Sequence, residues 1–335
     1  MKPISATDDD LNSRPDTSGL LPPSILIHSG QSVIRHYNDY LHLSIRSDET
    51  RQTYRSALSL FFRFCDENGI EEILDIEPRH VRAYLDHRTK NLGHVASART
   101  HYSAIKGFGQ YCVDKRYLAT NPAASVSYAF VNPRKGKTGV ITAGEVRKLL
   151  ESIPDDPKCK VKPPKETDFR DKALIGLMAY TFVRIGGALS SKVGDLRYDN
   201  GTLWLDMIEK GSKSHSLPLS PAPREFIETY IRECGLTDKR APLFQSANRN
   251  GKLTGKPYDR GNSRRMISAR AKALNIVGKT KNHTFRATGI THFLEGGGRL
   301  DDAQDIANHA DSSTTRRYDR RSNQRLVDVL NQVDY

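Results

Sequence analysis

Along the first third of the chain, apolar side chains recur at helical spacing. Tyr54, Leu58, Phe61, Phe62 and Cys65 follow an i, i+3/i+4 pattern, which predicts a helix that buries one stripe. Ser47-Asp48-Glu49-Thr50 supplies its start signal. Asn68-Gly69 supplies its stop, because glycine accepts the left-handed conformation of a helix C-cap. Glu77-Pro78 opens a second helix carrying Val81, Tyr84 and Leu85. A third is expected from about Val95 to Val113, with Tyr102, Ile105, Phe108 and Tyr111 on its inner face, and Asn121-Pro122 ends the short segment after it. These elements predict a compact helical domain over residues 29–130, preceded by a Ser-, Asp-, Thr- and Pro-rich stretch, 1–28, expected to be flexible.

The pattern then breaks. Residues 131–140 form a polar, basic linker carrying Arg134, Lys135 and Lys137. A second domain, 141–335, begins with a capping-box pattern at Thr142 to Glu145. Ala173 to Thr181 reads as an apolar helix. The period next shifts to two: Thr202 to Met207 and His215 to Leu219 alternate as strands, joined by a hairpin turn that carries Lys210 and Lys213. Helical patterns resume at about Pro223, Asp259 and Thr284, and an apolar stripe over 322–333 predicts a tail helix. The expected fold is mainly α with a small antiparallel β-sheet: a helical domain plus a mixed α/β domain.

Charge narrows the class of partner. Fifty-two Lys and Arg against 39 Asp and Glu give a formal net charge of +13, which favours a polyanion through counterion release. Nucleic acid is the first expectation and an anionic membrane surface the second. No run of about 18 apolar residues exists to span a bilayer, and the N-terminus lacks a signal-type apolar core, so a cytoplasmic protein is expected. The 4 cysteines are far apart, without CxxC spacing, and read as reduced thiols; no metal site is expected. No phosphate-cradling GxxxxGK[ST] loop and no GxGxxG occur, so no cofactor is expected. In the helical domain Arg51, Arg55, Arg99, Lys106, Lys115 and Arg116 form a basic set suited to phosphate contacts.

Candidate chemistry lies in the second domain. Arg184 ends the apolar helix pattern, the hairpin offers Lys210 and Lys213, and His283-Thr284-Phe285-Arg286 opens a helix. His309 precedes Tyr318 by nine positions (318 − 309), with arginines around the tyrosine. Such a set can cleave a phosphodiester without metal. Two guanidinium forks hold the non-bridging oxygens and neutralise developing charge. A lysine protonates the leaving oxygen, and histidines move protons or donate to phosphate. Tyrosine, with a pKa near 10 unperturbed, becomes a nucleophile in that company.

The ordered set resembles the tyrosine recombinase, or phage integrase, family: an Arg after an apolar helix, a hairpin Lys, H-x-x-R, a Gly-His pair, and a Tyr nine residues on. Arg184, Lys210, His283, Arg286, His309 and Tyr318 fall on those positions, and the helical domain resembles the family's core-type DNA-binding domain. The resemblance implies a site-specific recombinase that acts on double-stranded DNA at inverted-repeat sites. Tyr318 would form a 3′-phosphotyrosyl link, and strands would exchange through a Holliday junction within a homotetramer on two sites. Arg51, Arg55, Arg99, Lys106, Arg134, Lys135, Lys137 and Lys213 are the expected DNA contacts. Two positions depart from the pattern. Asn308 stands where the family has Gly, and Gly187 stands where it often has a carboxylate that orients the site. Alternative readings are a type IB topoisomerase-like enzyme, which rejoins the same strand, and a non-catalytic DNA-binding protein on the same fold.

Overall fold

The computed structural model describes residues 23–91, 95–130, 139–161, 163–209, 213–276, 278, 280–309, 311–316 and 318–319. The chain divides into two compact units, Met1–Asn132 and Pro133–Tyr335.

The first unit is helical. Its elements are α1 (Ser24–His28), α2 (Gln31–Asp39, continued by a π-helical turn Tyr40–Ser44), α3 (Asp48–Glu67), α4 (Pro78–Asp86, continued by a π-helical turn His87–Asn91) and α5 (Val95–Asp114). Ser47 caps α3 by accepting from the Thr50 amide at 3.4 Å, and Gly69 takes φ 73° beyond its end. The core is aromatic: Tyr37, Phe62 and Phe108 meet edge to face at about 6 Å, a geometry worth about 0.5–1.5 kcal/mol per pair beyond burial. Asn121 stops the chain after α5. Its amide donates to the Lys106 carbonyl at 2.9 Å and its oxygen accepts from the Ala123 amide at 3.0 Å. Gly109 makes room for it, because a Cβ there would lie 2.5 Å from Asn121 Oδ1.

In the second unit α6 (Ala143–Glu151) carries the capping box expected at Thr142 and Glu145. Helix α7 (Glu166–Thr181) begins seven residues (173 − 166) before the apolar stretch that marks it in sequence. Its first turns hold Arg170 and Asp171, buried against each other at 2.7 Å, with Arg270 bonding Asp171 and Asp168. A buried ion network therefore occupies positions that a hydrophobic reading leaves outside the helix. Helix α8 (Ile185–Ser190) leads into the antiparallel strands β1 (Leu196–Asp199), β2 (Thr202–Glu209) and β3 (Lys213–Pro218), in spatial order β1-β2-β3. Leu205 faces Leu217 and Met207 faces His215 across the hairpin. Leu203, Leu205, Met207 and Leu217 are buried, so the period of two turns one face into the core.

Then come α9 (Pro221–Glu233), a two-stranded ribbon of β4 (Gln245–Ala247) and β5 (Leu253–Pro257), α10 (Arg260–Ala273), α11 (Asn282–Glu295), α12 (Leu300–Ile306) and α13 (Ser312–Arg316). Strands β1, β4 and β5 are additions to the sequence reading. They are three to five residues long, and β1 and β5 are mostly exposed, so they carry little alternating signal. A separate small core of Phe182, Ala287, Ile290, Leu294, Ala303, Ala307 and Tyr318 joins α7, α11 and α12. Phe293 packs on it only partly buried. The linker residues 131–138 and the tail from 320 lie outside the described residues. Among the described residues no helix is long and apolar enough to cross a membrane.

Candidate active site

Five of the six expected catalytic side chains meet around the small core of the second unit. His283 and Arg286 sit three apart at the start of α11, on one face. Lys281 and Thr284 fix that start, the Lys281 amide donating to Thr284 Oγ1 at 3.1 Å. Arg184 is the N-cap residue of α8, placed there because Phe182 ends α7 in the left-handed conformation at φ 56°. His309 follows the turn after α12, where Asn308 has φ 47°. Asn tolerates that conformation better than other residues with a side chain, so the helix ends at Asn308 as it would at the expected glycine.

The tyrosine is enclosed. Tyr318 is 8% exposed, its Oη lies 2.9 Å from His283 Nε2, and its ring stacks on His309 with centroids 6.0 Å apart and planes 6° from parallel. Thr291 Oγ1 donates to its carbonyl at 3.1 Å. Arg286 is 2% exposed and donates to the Phe182 carbonyl at 2.6 Å and to the Ala307 carbonyl. Half-buried Arg184 donates from both Nη atoms to the Asn308 carbonyl at 3.2 Å.

Both histidines are held neutral near pH 7. Burial and the charges of Arg286 and Arg184, with His283 beside them, push His309 down to about 3. His283 is solvent-exposed, yet the surrounding protein, then Arg286, Arg184 and Arg260, lower it below the usual histidine value. Where the neutral His283 ring carries its proton on Nδ1, Nε2 accepts a hydrogen bond from the Tyr318 hydroxyl.

Lys210 lies outside the described residues, as do Arg134, Lys135 and Lys137. Lys213 opens β3, paired with Glu209, and its side chain is likewise outside them. In the first unit Arg51 bonds the Leu41 and Ile45 carbonyls at 2.9 and 3.1 Å and pairs with Asp48, so its guanidinium closes the turn before α3. Arg55 is partly exposed, while Arg99 and Lys106 are exposed beside the rings of Phe130 and Tyr102.

Sequence reasoning missed three features. Thr315 is fully buried with Oγ1 2.8 Å from His309 Nδ1; its place three residues before Tyr318, one helical turn back, was the available signal. Arg260, at the start of α10, adds to the field on His283. The rest of α10 presents Arg264, Arg265 and Lys272, with Lys281, along an open groove of about 710 Å³. Among the described residues no group of three or more His, Cys, Asp or Glu is placed to hold a metal ion.

A family model described as the phage integrase family matches residues 140–325, and one described as phage integrase, N-terminal SAM-like domain, matches 34–116. Tyrosine recombinase XerD of Oceanobacillus iheyensis is 26% identical over 291 residues, covering 84% of this chain and 91% of that protein. XerD of Staphylococcus saprophyticus is 25% identical over 307 residues, covering 90% and 98%. Among solved structures, XerH site-specific recombinase in a post-cleavage complex with palindromic difH substrate superposes with a TM-score of 0.67 at 20% identity, over 84% of this chain and 79% of that one. A lambda integrase tetramer bound to a Holliday junction gives 0.61 at 17% identity, over 84% and 78%. At such identities the structural likeness establishes the fold. The first family match, however, spans more than half of the 335 residues, and this chain therefore belongs to the phage integrase family, the tyrosine recombinases.

Proposed function

We propose that the protein is a site-specific DNA recombinase that cuts and rejoins duplex DNA through a 3′-phosphotyrosyl intermediate. The observation that carries this reading is the approach of Tyr318 Oη to His283 Nε2, 2.9 Å, beside Arg184 and Arg286. Tyr318 attacks the scissile phosphorus and its proton passes to His283. The Oη–P bond forms as the P–O5′ bond breaks, and Lys210 supplies a proton to the leaving 5′-oxygen. Arg184 and Arg286 hold the non-bridging oxygens as charge develops on them. When the Thr315 hydroxyl donates to His309 Nδ1, the proton of that neutral ring sits on Nε2, available to phosphate. One phosphoester replaces another, so attack by a 5′-hydroxyl of the partner strand reverses the step without ATP and leads through a Holliday junction.

The helical unit, which includes α1 with Ile25 and Leu26 in its core and so begins before the expected residue 29, serves as the core-type DNA-binding domain, with Arg55, Arg99 and Lys106 on phosphates. The linker, with Arg134, Lys135 and Lys137, follows the DNA backbone, as does Lys213. The exposed cations of α10 offer the second unit a DNA-facing surface of its own, since a row of Arg and Lys without acids between them suits polyanion binding. Four protomers on two inverted-repeat sites, joined by the tail helix over 322–333, complete the assembly; one solved relative is a lambda integrase tetramer bound to a Holliday junction. A chain truncated after Arg321 is then expected to bind DNA without cooperativity.

The test is a nicked suicide duplex carrying the inverted repeats beside the gene, incubated with protein without metal or ATP and run on a denaturing gel. A slow covalent band that is absent with Tyr318→Phe is expected. Tight binding on a native gel with no covalent band would instead favour a DNA-binding protein that has lost the chemistry.

A further inference from the structure

Two like charges, Arg184 and Arg286, both act on His283, the partner of Tyr318, and Arg286 is 2% exposed. Gly187, in the first turn of α8, has no side chain to offer either of them. Main-chain carbonyls meet both arginines. Helix α7 ends at left-handed Phe182, whose carbonyl accepts from Arg286; the segment after α12 turns at left-handed Asn308. There the consecutive carbonyls of Ala307 and Asn308 accept from Arg286 and from both Nη atoms of Arg184. Carbonyls at a helix end lack intrahelical partners and carry partial negative charge. Two helix ends therefore point their acceptors at two guanidinium groups. A carboxylate in that place would cancel a full charge. A carbonyl fixes the fork and leaves the cation intact for an anionic phosphate.

We infer that Asn308 is a positioning residue for strand cleavage: its left-handed backbone turns the Ala307 and Asn308 carbonyls onto Arg286 and Arg184. The inference rests on the strand-cleavage reading above. It makes the conformation at 308 the determinant. Glycine adopts φ 47° freely and keeps the carbonyl where it is, whereas a β-branched residue resists that region.

The experiment measures covalent adduct formation by the full chain on two suicide duplexes, one with an ordinary scissile phosphate and one with a methylphosphonate there. The second has lost one charged non-bridging oxygen and with it much of the need for a well-set guanidinium. Asn308→Gly is expected to cleave the ordinary duplex within about threefold of the parent, and Asn308→Val about 100-fold more slowly, the scale of removing one charge-stabilising donor. On methylphosphonate, Asn308→Val is expected to approach the parent, and Arg184→Ala is expected to do the same. A general packing defect would slow both substrates alike. Equal loss on both, or Asn308→Gly as slow as Asn308→Val, overturns the inference. Should Asn308→Val not fold, Asn308→Ala is read on the same pair. No adduct from the parent on the ordinary duplex overturns the strand-cleavage reading itself, which separates the two failures.

Discussion

Replacing Thr315 by Val tests how the site holds His309. The two side chains are alike in shape, so the change removes one hydroxyl and little else. Thr315 is fully buried and His309 is 7% exposed, with 2.8 Å between Oγ1 and Nδ1. Water cannot readily take the hydroxyl's place. Leaving a buried polar group unpaired costs about 1–3 kcal/mol. The imidazole also becomes free to exchange tautomers, so that Nε2 no longer carries its proton reliably. If that cost falls wholly on the transition state, adduct formation slows roughly 5- to 150-fold. The assay is the single-turnover rate on the suicide duplex, with DNA affinity read in parallel. Thr315→Ser keeps the hydroxyl and is expected to recover most of the rate, and ¹⁵N shifts of His309 are expected to report mixed tautomers only in the Val variant. A Val variant as fast as the parent, or a Ser variant as slow as Val, would refute the reasoning.

Other consequences follow from the same site and its surroundings. His309 is held down to about 3 against 6.5 ordinarily, so between those values the unfolded chain binds the extra proton and stability falls as pH drops. The slope is at most about 1.4 kcal/mol per pH unit. Denaturant midpoints from pH 7 to 4 are expected to fall more steeply for the parent than for His309→Asn, and parallel curves would contradict the assignment. Asp171→Asn breaks the buried pair with Arg170 and Arg270; a loss of about 3–5 kcal/mol is expected in chemical denaturation, and a loss under about 1 kcal/mol would show the network to be slack. Arg264→Ala with Arg265→Ala is expected to lower the slope of log K against log salt by about 0.9 for each phosphate no longer neutralised. An unchanged slope would remove α10 from the DNA surface.

The helical unit was legible because its signals are local. Ser47, Gly69, Glu77-Pro78 and Asn121 each mark a boundary through chemistry carried within a few residues, and the aromatic stripe of α5 fixes its inner face. Helix α7 was legible only from Ala173 onward. Arg170 and Asp171 look like surface charges until Asp168 and Arg270, the latter distant in sequence, close the ion network around them. Strands β1 and β5 were too short and too exposed to alternate, and β4 has only three residues. In the site, residue identities could be read in order along the chain, but their supports could not. Carbonyls that hold Arg184 and Arg286 carry no side-chain signature, and Thr315 beside His309 is a threonine among several in a polar run. Asn308 was visible as a departure from glycine. Its bearing on the arginines required the fold.

The most direct test of strand cleavage by Tyr318 is to find which atom holds the DNA. Protein trapped on a 3′-end nucleotide with the suicide duplex, digested with protease and nuclease, is analysed by peptide mass spectrometry. A nucleotide adduct is expected on the peptide containing Tyr318, with fragmentation placing it on the phenol and no adduct in Tyr318→Phe. An adduct on another residue, or one that persists in the Phe variant, would contradict that assignment.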